Sequence, residues 1–206
     1  MWEFVDKGGP IVLVIMLCSV LAFAIVLERL YSLYKSKIDI DDFMMQIKDL
    51  IKRNRIMEAI DTCEKTPGPI ANIIKAGIFK HDRTKTEIRE AIEDAGKQEV
   101  PKLEKNISIL ATLAHISPLL GLLGTVTGMV RAFKVIEQKS LSLQPVNPGD
   151  LAGGIWEALL TTVAGLAVAI PTYVAYNYLV SRVNNLVVDM EKSATELLDA
   201  LTNSQF

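Results

Sequence analysis

The sequence predicts an all-α membrane protein: three transmembrane helices with long cytoplasmic helical extensions. Three observations carry that expectation. The apolar residues are gathered into three uncharged runs, 8–27, 106–130 and 158–181, each about as long as the ~20 helical residues that cross a ~30 Å hydrocarbon core. Between and after the runs, apolar residues recur at helical spacing on otherwise polar segments. The second and third runs also carry proline, glycine and threonine where a plain lipid anchor needs only Leu and Val. Backbone breakers and hydroxyls are tolerated at membrane depth where they face protein or a water-filled path.

The elements follow in order. Residues 1–10 form a short outer segment and 11–30 the first span. The leading flank Trp2-Glu3-Phe4-Val5-Asp6-Lys7 is not basic and no small-residue cleavage pattern follows, so the run reads as an uncleaved anchor. Met16 and Leu17 before Cys18 are too bulky for a lipoprotein-type acylation site. Trp2 and Phe4 suit the aromatic belt at one interface.

Residues 31–105 read as a cytoplasmic helical region. Asp39 or Asp41 can cap a helix whose apolar face is Phe43, Ile47, Leu50 and Ile51. Ile56, Ile60 and Cys63 continue as a second short helix, ended by Thr66-Pro67-Gly68-Pro69, because prolines lack donors and restrict the residue before them. Ile70 to Ile78 makes another. Thr84 and Glu87 form a capping box that starts a long helix through Ile88, Ile92 and Leu103. Only Pro101 punctuates its approach to the second span, 106–135, so one helix bent at Pro101 is expected to enter the membrane.

Pro145, Pro148 and Gly149 mark an outer loop, 136–150, short enough to make the second span and the third, 151–180, antiparallel. Residues 181–206 continue as an amphipathic cytoplasmic helix with the stripe Val183, Leu186, Val187, Met190, Ala194, Leu197 and Leu201. Its cover is expected from the other cytoplasmic helices or from another subunit. Lys and Arg are denser on the flanks holding Arg29, Lys35, Lys37, Lys97, Lys102, Lys105, Arg182 and Lys192 than on those holding Lys7, Arg131, Lys134 and Lys139. The positive-inside rule then puts the amino terminus outside and the carboxyl terminus in the cytoplasm.

A formal net charge of −2 with no concentrated basic patch argues against a nucleic-acid partner. Cys18 and Cys63 cannot by themselves make a disulfide or metal site, and read as small hydrophobes. No Walker motif, metal cluster, cofactor motif or nucleophile–base pair is present, so the chain does not read as an enzyme.

The candidate functional residues sit inside the spans. Thr125 lies 19 residues beyond Asn106, and Thr162 lies 19 before Ser181. Antiparallel helices put both hydroxyls at a similar height, about 28 Å along the axis. Gly121, Gly124 and Gly128 form a close-approach face with Thr125 at its margin. Ala158, Thr162, Gly165, Ala169, Thr172 and Tyr176 share a face of small or polar groups. The two threonines can line one narrow polar path, or each can bond its own helix backbone and merely pack. Pro118 and Pro171 free the carbonyls of Ala114 and Ala167 and make kinks, static or hinged. Glu157 is either an interfacial residue or a polar pore entrance, because an ionised carboxylate near mid-bilayer costs about 3 kcal/mol or more. His115, with Ser108 and Thr112 on roughly the same face, is either a proton relay or a satisfied helix–helix hydrogen bonder. No Asp or Glu lies mid-span, so a proton path would need a carboxylate from a partner helix.

These residues resemble the MotA/TolQ/ExbB proton-channel family, most closely its ExbB/TolQ branch. The resemblance is carried by the turn Glu64-Lys65-Thr66-Pro67-Gly68-Pro69-Ile70-Ala71 and by the blocks Ser117–Phe133 and Gly154–Asn177. Three spans rather than four disfavour the flagellar branch. It implies a homopentamer around a central pore that encloses the single transmembrane helices of two ExbD/TolR-like subunits, whose membrane aspartate is the protonated group. It also implies proton-driven rotation that does work on a TonB- or TolA-like envelope partner, in a bacterial cytoplasmic membrane. Thr125 and Thr162 match the pore threonines and Glu157 the third-span glutamate; His115 inherits no role. The competing classes are a small-solute permease and a non-conducting assembly scaffold.

Overall fold

The computed structural model describes residues 2–35, 38–143, 145 and 147–203, with side chains at all of these except 2–8, 150 and 203. The belt read from Trp2 and Phe4 and the flank charges Lys7 and Lys37 lie outside the described side chains. Among the described residues every regular element is a helix: α1 (Trp2–Lys35), α2 (Ile40–Lys52), α3 (Ile56–Lys65), α4 (Pro69–Ile78), α5 (Lys85–Glu104), α6 (Ile107–Leu141) and α7 (Pro148–Asn203). Among the described residues three helices are long and apolar enough to cross a membrane. The chain divides into two units, Met1–Leu27 with Asn106–Tyr178, and Glu28–Lys105 with Leu179–Phe206.

The first unit holds the apolar parts of α1, α6 and α7. Gly9 breaks α1 with φ 65° and ψ −174°. Pro10 keeps the residue before it out of the helical region, and glycine alone takes that positive φ without strain. Beyond Pro10 one stripe of α1 is buried at Val12, Ile15 and Ala22, while Leu17, Val20, Leu21 and Phe23 are exposed. In α6 the buried positions are Ile107, Leu110, Ala114, Ser117, Gly121, Gly124, Gly128 and Ala132. Their spacing is three or four at every step, the seam of a closely packed helix pair. The seam of α7 is Ala158, Thr161, Gly165, Ala169 and Thr172.

The second unit packs α2–α5 around the end of α7. Asp39 caps α2 by accepting from the Asp42 N–H, and Thr84 with Glu87 forms the reciprocal capping box of α5. Gly68, at φ 122°, makes the corner between α3 and α4, and Pro69 opens α4. The core is Ile47, Ala59, Cys63, Ile70, Ile73, Ile74, Ile78, Ile88 and Ile92. The stripe of α7 is covered within the chain: Val183, Met190, Leu197 and Leu201 are buried. A Cβ on Gly77 would stand 2.7 Å from Leu197 Cδ2 and 2.8 Å from Ile92 Cδ1, so the glycine seats that end of α7. Lys48–Glu196 and Lys85–Asp199 ion pairs flank it.

The helix expected to bend at Pro101 instead ends three residues later. Pro101 is exposed, and so is Lys97, whose carbonyl the missing donor would have bonded, so water can satisfy the gap. The break falls at Lys105–Asn106, with Asn106 in the left-handed region at φ 63°. Asparagine tolerates that conformation better than most residues.

Candidate functional site: the glycine-packed helix pair

Glycine sets how closely α6 and α7 approach. A Cβ on Gly121 would lie 3.1 Å from the Thr161 carbonyl oxygen, one on Gly165 2.6 Å from the Ser117 carbonyl oxygen, and one on Gly128 3.0 Å from the Gly154 carbonyl oxygen. These pairs fix an antiparallel register in which the start of one segment meets the end of the other. Backbone lies against backbone, as small residues allow at helix contacts.

The tightest notch is at Gly124, where a Cβ would stand 2.1 Å from Thr161 Oγ1 and 2.4 Å from Thr161 Cβ. Thr161 is buried, and its hydroxyl donates to the Ala158 carbonyl at 2.7 Å. Spacing along α7 singles out its neighbour Thr162 and not Thr161. Which of two adjacent threonines fills a notch depends on inter-helix register, and the spacing within one helix does not carry it.

Thr125 and Thr162 are both half-buried. Thr125 donates to the Leu122 carbonyl of its own helix at 2.6 Å, whereas Thr162 reaches across to the Gly121 carbonyl of α6 at 3.1 Å. Of the two alternatives the sequence left open, Thr125 follows the local one and Thr162 makes an inter-helix bond. Thr125 stands one turn beyond Gly121, within about 40° of it around α6. The register thus brings both threonines to similar height beside the seam.

Glu157 lies elsewhere. It forms an ion pair with Arg131 of α6, its side chain 22% exposed against 52% for the arginine. A Cβ on Gly9 would meet Glu157 Oε1 at 2.6 Å and the Arg131 guanidinium at 3.3 Å, so the positive-φ glycine lets α1 close on this pair. Five residues of helix turn Glu157 about 140° from Thr162, and six turn Arg131 about 120° from Thr125 the other way round. Within this chain the acid therefore sits on the α1-facing flank and the threonines on the other. The pairing offsets part of the cost of an ionised carboxylate in this unit.

His115 is exposed, about 80° around α6 from Thr125 and within about 20° of Val126, and its ring meets Tyr173 edge-on, centroids 6.0 Å apart at 89°. Tyr173 is three turns from Thr162, within about 20° around α7. Tyr176 follows at 6.3 Å from Tyr173. Pro118 is half-buried inside α6, and Pro171 is exposed inside α7.

The family model described as the MotA/TolQ/ExbB proton channel family matches residues 65–192. The ExbB homolog of Methanothermobacter thermautotrophicus is 27% identical over 202 residues, covering 98% of this chain and 68% of the relative. The ExbB-like 3 protein of Synechocystis sp. is 32% identical over 170 residues, covering 82% of this chain and 80% of the relative. The Tol-Pal system protein TolQ of Haemophilus influenzae is 39% identical over 117 residues, covering 56% and 49%. The solved structure of C. jejuni MotAB matches with a TM-score of 0.69 at 16% identity, over 97% of this chain and 80% of that one, a likeness of fold. With more than half of its length inside the family match and ExbB and TolQ proteins among its relatives, the chain belongs to the MotA/TolQ/ExbB proton channel family, on its ExbB/TolQ side.

Proposed function

We propose that this chain is the channel and stator subunit of an ExbB–ExbD or TolQ–TolR type motor in the bacterial cytoplasmic membrane, turning proton-motive force into mechanical work. The observation that carries the proposal is the threonine flank. Thr125 and Thr162 offer hydroxyls at one height beside a seam too tight for water, in spans with no Asp or Glu near mid-membrane. A hydroxyl both accepts and donates, so it can pass or orient a proton without bearing the charge.

The titrating carboxylate then comes from a partner. In this reading five copies surround the single-span helices of two ExbD/TolR-like subunits, and the partner's aspartate is protonated and released as it passes each threonine flank. One charge crossing the membrane releases about 2.3 kcal/mol per 100 mV. That free energy drives rotation between ring and core, and a TonB- or TolA-like protein receives the work. Glu157, tied to Arg131, guards the outer entrance from the other flank; Pro118 and Pro171 set the bends, and Gly121, Gly124, Gly128 and Gly165 keep the pair rigid. The amino terminus lies in the periplasm, the spans run at 11–30, 106–135 and 151–180, and the second unit is cytoplasmic.

The test is co-purification with the single-span partner and proton flux in proteoliposomes. We expect unequal subunit numbers and partner-dependent flux that Thr125→Val and Thr162→Val together reduce at least tenfold while the complex still assembles. Full flux in the double variant would refute the threonine path. Solute transport by the chain alone would assign a permease, and a stable complex without any flux would assign a scaffold.

A further inference from the structure

We infer that Arg131 is a positioning residue: with Glu157 it forms a charge-neutral latch, closed over by the α1 backbone at Gly9, that holds the third-span acid off the threonine flank. The inference rests on the conducting reading above and gives Glu157 a holding role, not a proton-carrying one. Arg131 Nη1 donates to Glu157 Oε1 at 2.5 Å, from α6 to α7. A charge-assisted bond of this kind is roughly twice as strong as a neutral one.

Small residues fix the roots of both side chains. Gly154 lies so close to α6 that a Cβ there would stand 2.6 Å from Ala132 Cβ. A Cβ on Gly128 would likewise meet Ala158 Cβ at 3.0 Å. Ala132 and Ala158 are buried, and they adjoin Arg131 and Glu157 in sequence. Neither helix can therefore turn about its axis to carry its charge elsewhere. The enclosure is completed by α1. A Cβ on Gly9 would meet Glu157 Cδ at 3.6 Å as well as Oε1 at 2.6 Å, so bare backbone covers the carboxylate where any other residue would place a side chain. Beyond the Gly9 break, buried Val12 and Ile15 anchor that end of α1.

This arrangement suits a clamp better than a carrier. A carrier must meet the proton path, and Glu157 lies about 140° around α7 from Thr162. Its carboxylate is occupied by a guanidinium, a group that keeps its protons in proteins and so has none to exchange. Losing either partner leaves the other's charge uncompensated beneath α1, whereas losing both leaves no charge to compensate. Clamp and carrier therefore predict opposite outcomes for the doubly neutral chain.

The experiment measures proton flux in proteoliposomes holding the complex with its single-span partner. Glu157→Gln and Arg131→Gln should each lower flux about fivefold, and the two together should recover to about half of the wild-type rate or more. Arg131→Lys, which keeps the cation, should also retain about half or more. A double variant no faster than Glu157→Gln would make the acid itself a carrier and overturn the latch, and so would single variants that conduct like wild type. Where the double threonine variant loses flux and the charge pair is not rescued, the conducting reading stands and only the latch falls. Full flux in the threonine variant sinks both. A second readout needs no partner. In detergent, Gly9→Ala should lower Tm more in the wild-type chain than in Glu157→Ala. The strain of positive φ is common to both backgrounds, and only the wild type also has Oε1 in the way of the new methyl. Equal shifts in the two backgrounds would overturn the part given to α1.

Discussion

Gly124→Ala should loosen the whole α6–α7 contact, and the structure gives the size of the effect. The added methyl carbon would stand 2.1 Å from Thr161 Oγ1 and 2.4 Å from its Cβ. Thr161 is 1% exposed, and no change of rotamer would move its Cβ out of the way. Restoring ordinary contact near 3.4 Å requires the helices to part locally by about 1.3 Å. That separation also opens the backbone contacts at Gly121, Gly128 and Gly165. Overpacking of this kind costs about 1–3 kcal/mol, and the better helix propensity of alanine returns about 1 kcal/mol at most. A net loss of about 1–2 kcal/mol lowers Tm by about 2–8 °C in a chain of this length. Thr161→Gly removes the obstructing side chain, so the reciprocal pair Gly124→Ala with Thr161→Gly should recover much of the loss. Thermal unfolding of wild type, both single variants and the double variant in detergent measures it. The cycle should show a favourable coupling of about 1–3 kcal/mol; strict additivity, within about 0.5 kcal/mol, would refute the notch.

Two other expectations concern the second unit and the break before α6. Burial pushes the Cys63 thiol up to about 12, so its nucleophilic thiolate is scarce at neutral pH and appears only in strong alkali. The raised value stabilises the fold at neutral pH, and that contribution fades as pH climbs past the thiol's ordinary range toward 12; maleimide labelling of the native protein at pH 7 should therefore be slow at Cys63 and fast only after unfolding. At Asn106, φ 63° makes a β-branched residue costly. Asn106→Val should destabilise by about 1–2 kcal/mol and Asn106→Gly should be near neutral, both read from thermal unfolding.

Much of the fold is legible in the sequence because its signals are local. Thr84 with Glu87, Asp39, and Pro67-Gly68-Pro69 act within a turn of their own position, and each marks a helix boundary in the structure. The apolar runs are legible for the same reason. Asn106 escapes notice because an asparagine in the left-handed region looks like any other asparagine, while Pro101 nearby looks like the stronger breaker. Exposure of Lys97 and Pro101 to water removes most of the penalty that would have made the proline decisive.

The candidate site divides along the same line. Equal heights of Thr125 and Thr162 follow from counting residues along antiparallel helices. The flank on which each lies does not, because that depends on how two helices are rotated about their axes. Hence Thr161 and not Thr162 fills the Gly124 notch, and Glu157 turns to Arg131, 26 residues distant in sequence, on the α1 side. The contact of His115 with Tyr173 is likewise a product of register.

The most direct measurement is thiol accessibility at Thr125→Cys and Thr162→Cys in the partner-bound complex, with Cys18 and Cys63 replaced by alanine. Both positions should react with a small charged thiol reagent from water, and Val126→Cys and Val163→Cys, on exposed apolar faces, should not. Threonine positions that stay inert to it, or that react only with a lipid-soluble reagent, would contradict a hydrated threonine flank and the motor built on it.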